Sequence, residues 1–142
     1  MSFPAYSKYK QSPAEDLGGI PTGWESAPLK RLSKVDSSGC YGVDPEDAEI
    51  VLPVATTAQI DVNGRFVVDD MPRRGFTQEE VNRYLCSEGD ILVVKSSGSA
   101  TNIISGKAGL VESNTPPFIF SNFLMRIRPN HEIVSSGFIY SL

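Results

Sequence analysis

The sequence predicts an α+β fold: a single domain with a curved, mostly antiparallel β-sheet and one or two short helices. Three observations predict it. The apolar runs are short and rich in Val, Ile and Phe, turn residues punctuate them at close spacing, and only one segment carries a complete helix-start signature. At 142 residues the chain suits one core. Residues 1–22 read as an irregular leader and residues 23–142 as the domain proper.

The leader is broken by Pro4, Pro13, Pro21 and the Gly18-Gly19 pair, and its apolar residues keep no period. Trp24 opens the folded part and is expected to anchor the core. Pro28–Val35 alternates well enough for either a strand or a short helical turn, and Asp36–Gly39 has turn chemistry. Glu49–Val54 reads as a strand that Pro53 confines to an edge or a bulge. Gln59–Val68 reads as a hairpin about Asn63-Gly64, two residues that tolerate positive φ. Thr77-Gln78-Glu79-Glu80 is a capping box: the Thr77 hydroxyl caps the first turn and Glu80 reaches back, which predicts a helix over about 77–87.

Ile91–Val94 reads as a buried strand, and Lys95–Asn102 as a polar loop. Ile103-Ile104 and Ala108–Val111 are expected to pair about Ser105-Gly106-Lys107. Phe118–Arg128 alternates along its length and reads as one long core strand. Phe123, Met125 and Ile127 then share one face and Leu124, Arg126 and Arg128 the other, with both arginines taken as an outer, solvated face. Gly137–Leu142 has the composition to begin a further helix.

Charge is unevenly distributed on a chain of net charge −4. Asp36 to Asp61 holds six acids and no Lys or Arg, whereas Ile91 to His131 holds Lys95, Lys107, Arg126 and Arg128 against Glu112 alone. An acidic body with a locally basic face permits DNA binding without demanding it. No apolar run approaches the roughly 20 residues that span a bilayer, and the N-terminal segment has no apolar signal core, so a cytoplasmic protein without a membrane partner is expected. Cys40 and Cys86 read as free, partly buried thiols, and with His131 as the one histidine no metal ligand set is in view; no metal and no cofactor are expected.

Three segments in order now carry a family likeness. Gly89-Asp90-Ile91-Leu92 leading into Val93–Ser99, then Gly106-Lys107-Ala108, then Phe120-Ser121-Asn122-Phe123-Leu124-Met125-Arg126-Ile127-Arg128-Pro129 resemble the target recognition domain of type I restriction-modification specificity subunits. Pro21-Thr22-Gly23-Trp24, with Leu29 and Leu32, resembles the start of the same domain. The likeness covers about residues 21–142. A full specificity subunit has two such domains separated by long helices that bind methyltransferase subunits; here there is one. The resemblance implies a non-catalytic module that reads one half of a bipartite site in double-stranded DNA. Its partners would be the methyltransferase (modification) and restriction subunits, and a homodimer is compatible with the reading. The partner subunits would supply the chemistry, and S-adenosylmethionine would be bound by the methyltransferase.

The residues suited to that task are few. In the Lys95–Asn102 loop, Lys95 can hold a phosphate or a guanine edge. Ser96, Ser97, Ser99 and Thr101 are adaptable donors and acceptors, and Asn102 can pair with an adenine edge. Arg65 at the hairpin tip, Arg73 and Arg74 before the capped helix, Thr56 and Thr57 after the Glu49–Val54 strand, and Lys107 in its turn complete the set. Each could equally be a solvated surface residue.

Enzyme readings lack their motifs. Asn114-Thr115-Pro116-Pro117 is similar to an adenine-methyltransferase motif, but Thr115 separates the asparagine from the prolines, and no glycine cofactor loop follows a strand. Ser97-Gly98-Ser99 lacks the flanking glycines of a nucleophile elbow. A protein-interaction or structural domain, or a small α+β hydrolase or ligand-binding domain, remains as the alternative.

Overall fold

A computed structural model of the chain describes residues 5–95, 98–99 and 102–142, with the side chains of Gly98, Ser99 and Asn102 left aside. It has two units, one ending at Arg31 and one running from Leu32 to Leu142. In the first, within the segment expected to be irregular, β1 (Tyr9–Gln11) pairs antiparallel with β2 (Gly19–Pro21). The turn between them closes where Ser12 N–H donates to Gly18 O at 2.8 Å. Trp24 is not a core anchor: it is 48% exposed, and its ring meets the Tyr6 ring edge to face at 5.8 Å. Both readings of Pro28–Val35 hold in part, since α1 (Leu29–Leu32) passes directly into β3 (Ser33–Asp36).

The larger unit continues through β4 (Ile50–Ala55), β5 (Arg73–Phe76), α2 (Gln78–Tyr84), β6 (Ile91–Val94), β7 (Gly98–Ser99), β8 (Asn102–Ile103), β9 (Ala108–Leu110), β10 (Ile119–Phe120), β11 (Leu124–Pro129) and α3 (Ser136–Tyr140). An antiparallel sheet has the order β3-β11-β6-β9, and a second has the order β10-β4-β5, in which only β10 and β4 run parallel. β7 and β8 form a small hairpin. This is the α+β, mostly antiparallel class that the sequence predicts. Among the described residues no helix is long and apolar enough to cross a membrane.

Local chemistry accounts for the elements. The Thr77 capping box forms as read: Thr77 Oγ1 accepts from Glu80 N–H at 3.2 Å and a Glu80 carboxylate oxygen accepts from Thr77 N–H at 2.9 Å. Pro53 sits in the central strand of its sheet, yet β10 reaches only Val54 and Ala55, so the missing N–H falls where no partner strand runs. The Asn63-Gly64 turn forms with Gly64 alone at positive φ. The Asp61 carboxylate accepts from the N–H groups of Asn63 and Arg65, both at 2.8 Å, and holds the loop that the sequence assigns to a two-residue turn. The flanking strands reduce to one bridge, Ile60 to Phe66.

Two pairings differ from the sequence reading. Ile103 pairs back onto Gly98, and β9 pairs instead with β6. The Phe118–Arg128 run is two strands. After β10 the chain leaves one sheet for the other through Ser121–Phe123, with Ser121 N–H donating to Ala55 O (2.9 Å) and Leu124 N–H to Ser121 O (3.1 Å). The core gathers beneath: Leu92, Val94, Val111, Phe118, Phe120 and Leu124 are buried together, and Phe66 stacks on Phe118 at 5.0 Å.

The alternation along β11 keeps its expected parity, but Arg126 is on the inner face and has no exposed surface. Its guanidinium donates to Asp36 Oδ2 from Nε (3.0 Å) and Nη2 (2.7 Å), to Leu85 O (2.8 Å) and to Arg83 O (2.9 Å). It also lies 4.9 Å from the centre of the Phe120 ring. Arg128 is likewise paired, donating from Nε and Nη2 to the two carboxylate oxygens of buried Asp90 at 2.7 Å each. Neither arginine forms a solvated outer face.

Replacing Arg126 by alanine leaves Asp36 without its main partner and removes the guanidinium donor from Arg83 O, with Leu85 O keeping only Arg128 of its two arginine donors, so Arg126→Ala is expected to lose about 3–5 kcal/mol of stability in urea unfolding; a loss below about 1 kcal/mol would contradict the bonding described. Acid titration probes the same pair. Burial opposes ionisation of Asp36, but the hydrogen bonds and charge of Arg126, helped by Lys34, hold its carboxyl below the ordinary value of 3.8. Its folded pKa is thus the lower one, so its contribution is complete above the unfolded value and disappears as pH falls through the folded one. The stability gap between the wild type and Asp36→Asn should therefore narrow as pH is lowered below 3.8, measured by urea unfolding across that range; a gap that widens would refute the sign.

Candidate nucleic-acid interface

Antiparallel order decides which loops meet. In the sheet β3-β11-β6-β9, the ends of β3 and β6 and the starts of β11 and β9 lie at one edge. That edge carries Ser37-Ser38, Lys95, Ser105–Lys107 and Asn122-Phe123. Hydrogen bonds to backbone carbonyls tie these segments together. Lys95 N–H donates to Phe123 O (3.2 Å), Lys95 Nζ to Ser37 O (2.9 Å), Ser38 Oγ to Asn122 O (3.4 Å) and Gly106 N–H to Val94 O (2.7 Å). Gly39 makes the close approach possible, because a Cβ there would lie 1.9 Å from Phe120 O. Along the outer side of β9, Arg65 bridges Leu110, and the Asp61–Arg65 turn packs beside Ala108.

The expected contact residues divide accordingly. Lys95 and Lys107 share this edge, Lys95 exposed and Lys107 half-buried, whereas Arg65, also exposed, lies across from Leu110 at the other end of β9. Ser99 and Asn102 form a rung of the β7–β8 hairpin. Ser96, Ser97 and Thr101 lie outside the described residues. Lys95 spends one of its three donors on Ser37 O, which holds its ammonium in place.

Thr56 stands next to Ala55, whose carbonyl accepts from Ser121, and so borders the Ser121–Phe123 turn. Its own groups are committed to a second capping box, with the Gln59 side chain accepting from Thr56 N–H and Oγ1. Thr57 begins the 3₁₀ turn that this box caps and is half-buried.

Arg73 and Arg74 belong to the other sheet and form part of β5, not a loop before the helix. Arg73 is exposed and donates to Val51 O at 3.1 Å. Arg74 is half-buried with its guanidinium 5.0 Å from the centre of the Tyr41 ring.

Ser37, Ser38, Asn122 and Phe123 are the neighbours that the sequence reading left out. The signal was present: Ser121-Asn122 is a turn pair interrupting the alternation, and Asp36–Gly39 has turn composition.

The opposite edge of the sheet has the contrary charge. There an open cleft of about 730 Å³ is lined by Glu88, Gly89, Val111, Glu112, His131 and Ser135 among others. Glu132 borders the adjoining depression. Carboxylates so placed repel a phosphate backbone. Among the described residues no three His, Cys, Asp or Glu side chains converge as a metal site. Both thiols are pushed up in pKa, Cys86 chiefly by burial and then by Asp90, and Cys40 chiefly by burial and then by Glu80, which disfavours the thiolate.

No protein-family model matches the chain, and no curated protein matches it in sequence.

Proposed function

We propose that this chain is a DNA target recognition domain, similar to those of type I specificity subunits, that reads one half of a bipartite duplex site and performs no chemistry itself. One observation carries the reading: Lys95 and Lys107 lie at one end of the sheet among small polar loops, while Glu88 and Glu112 line a cleft at the other. The two lysines, with Arg65 farther along β9, would position this surface on phosphates. The hydroxyl and amide groups of Ser37, Ser38 and Asn122 are of the types that read base edges. Methyltransferase and restriction subunits would bring the catalytic groups, in the cytoplasm where such systems act.

The charge balance limits what this module does alone. Arg126 is buried and Arg128 is paired with Asp90, so neither is free to neutralise phosphates. Lys95, Lys107 and Arg65 alone, on a chain of net charge −4, give weak, mildly salt-dependent binding.

Fluorescence anisotropy with a random-sequence duplex at several salt concentrations tests this. The expected dissociation constant is weaker than about 1 µM at physiological salt, and log K falls against log[salt] with a slope of about −2.7 for three phosphate contacts. Lys95→Ala, Lys107→Ala and Arg65→Ala combined should remove most of that slope. An unchanged slope in the triple variant would place the DNA elsewhere.

A further inference from the structure

The edge that holds Lys95 and Lys107 also holds apolar side chains the core does not use. Phe123 is 50% exposed and Ile103 76%. Single exposed apolar residues are commonplace, but these share one edge with the two lysines.

Phe123 stands apart because its backbone is fixed. The residues two before and one after it, Ser121 and Leu124, have no exposed surface. Ser121 N–H is bonded to Ala55 O, Leu124 N–H to Ser121 O, and Phe123 O accepts from Lys95 N–H. A turn locked on both sides thus presents a half-exposed aromatic ring next to a lysine whose ammonium is itself oriented by Ser37 O.

We infer that Phe123 is a base-reading residue that packs against the 5-methyl group of a thymine in the major groove of the duplex; this rests on the DNA-recognition reading above. The occupant is chosen by charge and shape. Lys95 beside the ring favours a polyanion, and duplex DNA offers an apolar group on a base edge in the thymine methyl, which aromatic and small apolar side chains contact. Wedging between stacked bases would bury the whole ring and kink the duplex, whereas half of Phe123 is already withdrawn from solvent. Contact with the methyl at the groove surface needs only the exposed half.

The test uses the whole chain and a pool of random 20-base-pair duplexes. The most enriched duplex is remade with each thymine replaced in turn by uracil, which removes the methyl group and nothing else. The expected result is one position at which uracil weakens binding by about 5-fold or more, with Phe123→Ala binding the thymine and uracil duplexes equally and Phe123→Leu keeping most of the difference. Thermal unfolding confirms that both variants are folded; if Phe123→Ala does not fold, the result for Phe123→Leu and the uracil series on the wild type decide. An enriched duplex that no uracil substitution weakens, or a thymine preference that survives Phe123→Ala, overturns the inference and leaves DNA recognition standing. A pool from which nothing is enriched overturns both.

Discussion

A guanidinium with no access to water needs partners for its donors, and Arg126 finds them in two different parts of the chain. Asp36 belongs to the end of β3, while the carbonyls of Arg83 and Leu85 belong to the end of α2. The helix has only seven residues, and its last carbonyls would otherwise be unsatisfied. One side chain therefore caps the helix, neutralises a carboxylate and fixes β3 against β11. Arg128 and Asp90 repeat the arrangement one rung along, with Leu85 O accepting from Arg128 as well. Removing charge from such a knot is more damaging than its net stabilisation suggests, because the partners stay buried.

The candidate interface inherits its geometry from that knot. Ser37 follows directly on Asp36, and its carbonyl orients the Lys95 ammonium. Val94 and Leu124 pair across the sheet just beneath, so the loops they lead into emerge side by side. Polar loops of this kind have little core of their own. Their placement comes from the strands that frame them, which is how a rigid scaffold usually presents recognition residues. The same sheet holds Lys95 and Lys107 at one end and Glu88 and Glu112 at the other.

Much of this was legible in the residues, and the exceptions have physical causes. Thr77 with Glu80, the Asn63-Gly64 turn and the Ile91–Val94 strand rest on local chemistry and appear where the sequence puts them. Arg126 was not legible as a core residue, because in an alternating run a charged side chain reads as the solvent face. Only its partners 41 to 90 positions away make it an interior one. The break at Ser121–Phe123 and the pairing of β9 with β6 likewise depend on which distant strand offers backbone groups. Trp24 shows the converse, since a large aromatic residue near the start of a domain need not enter its core. Within the interface, Lys95 and Lys107 follow from residue type and turn position, whereas their sharing one end of the sheet with Ser37, Ser38, Asn122 and Phe123 follows from strand order.

The claim that one edge of the sheet is the DNA-facing surface can be tested by mapping. Titration of a short random-sequence duplex into the isotopically labelled chain, followed by amide NMR shifts, should move the signals of Ser37, Ser38, Arg65, Lys95, Lys107, Asn122 and Phe123 and leave those of Glu88, Glu112 and His131 in place. Shifts centred on the acidic cleft, or none at any duplex concentration, would contradict the account.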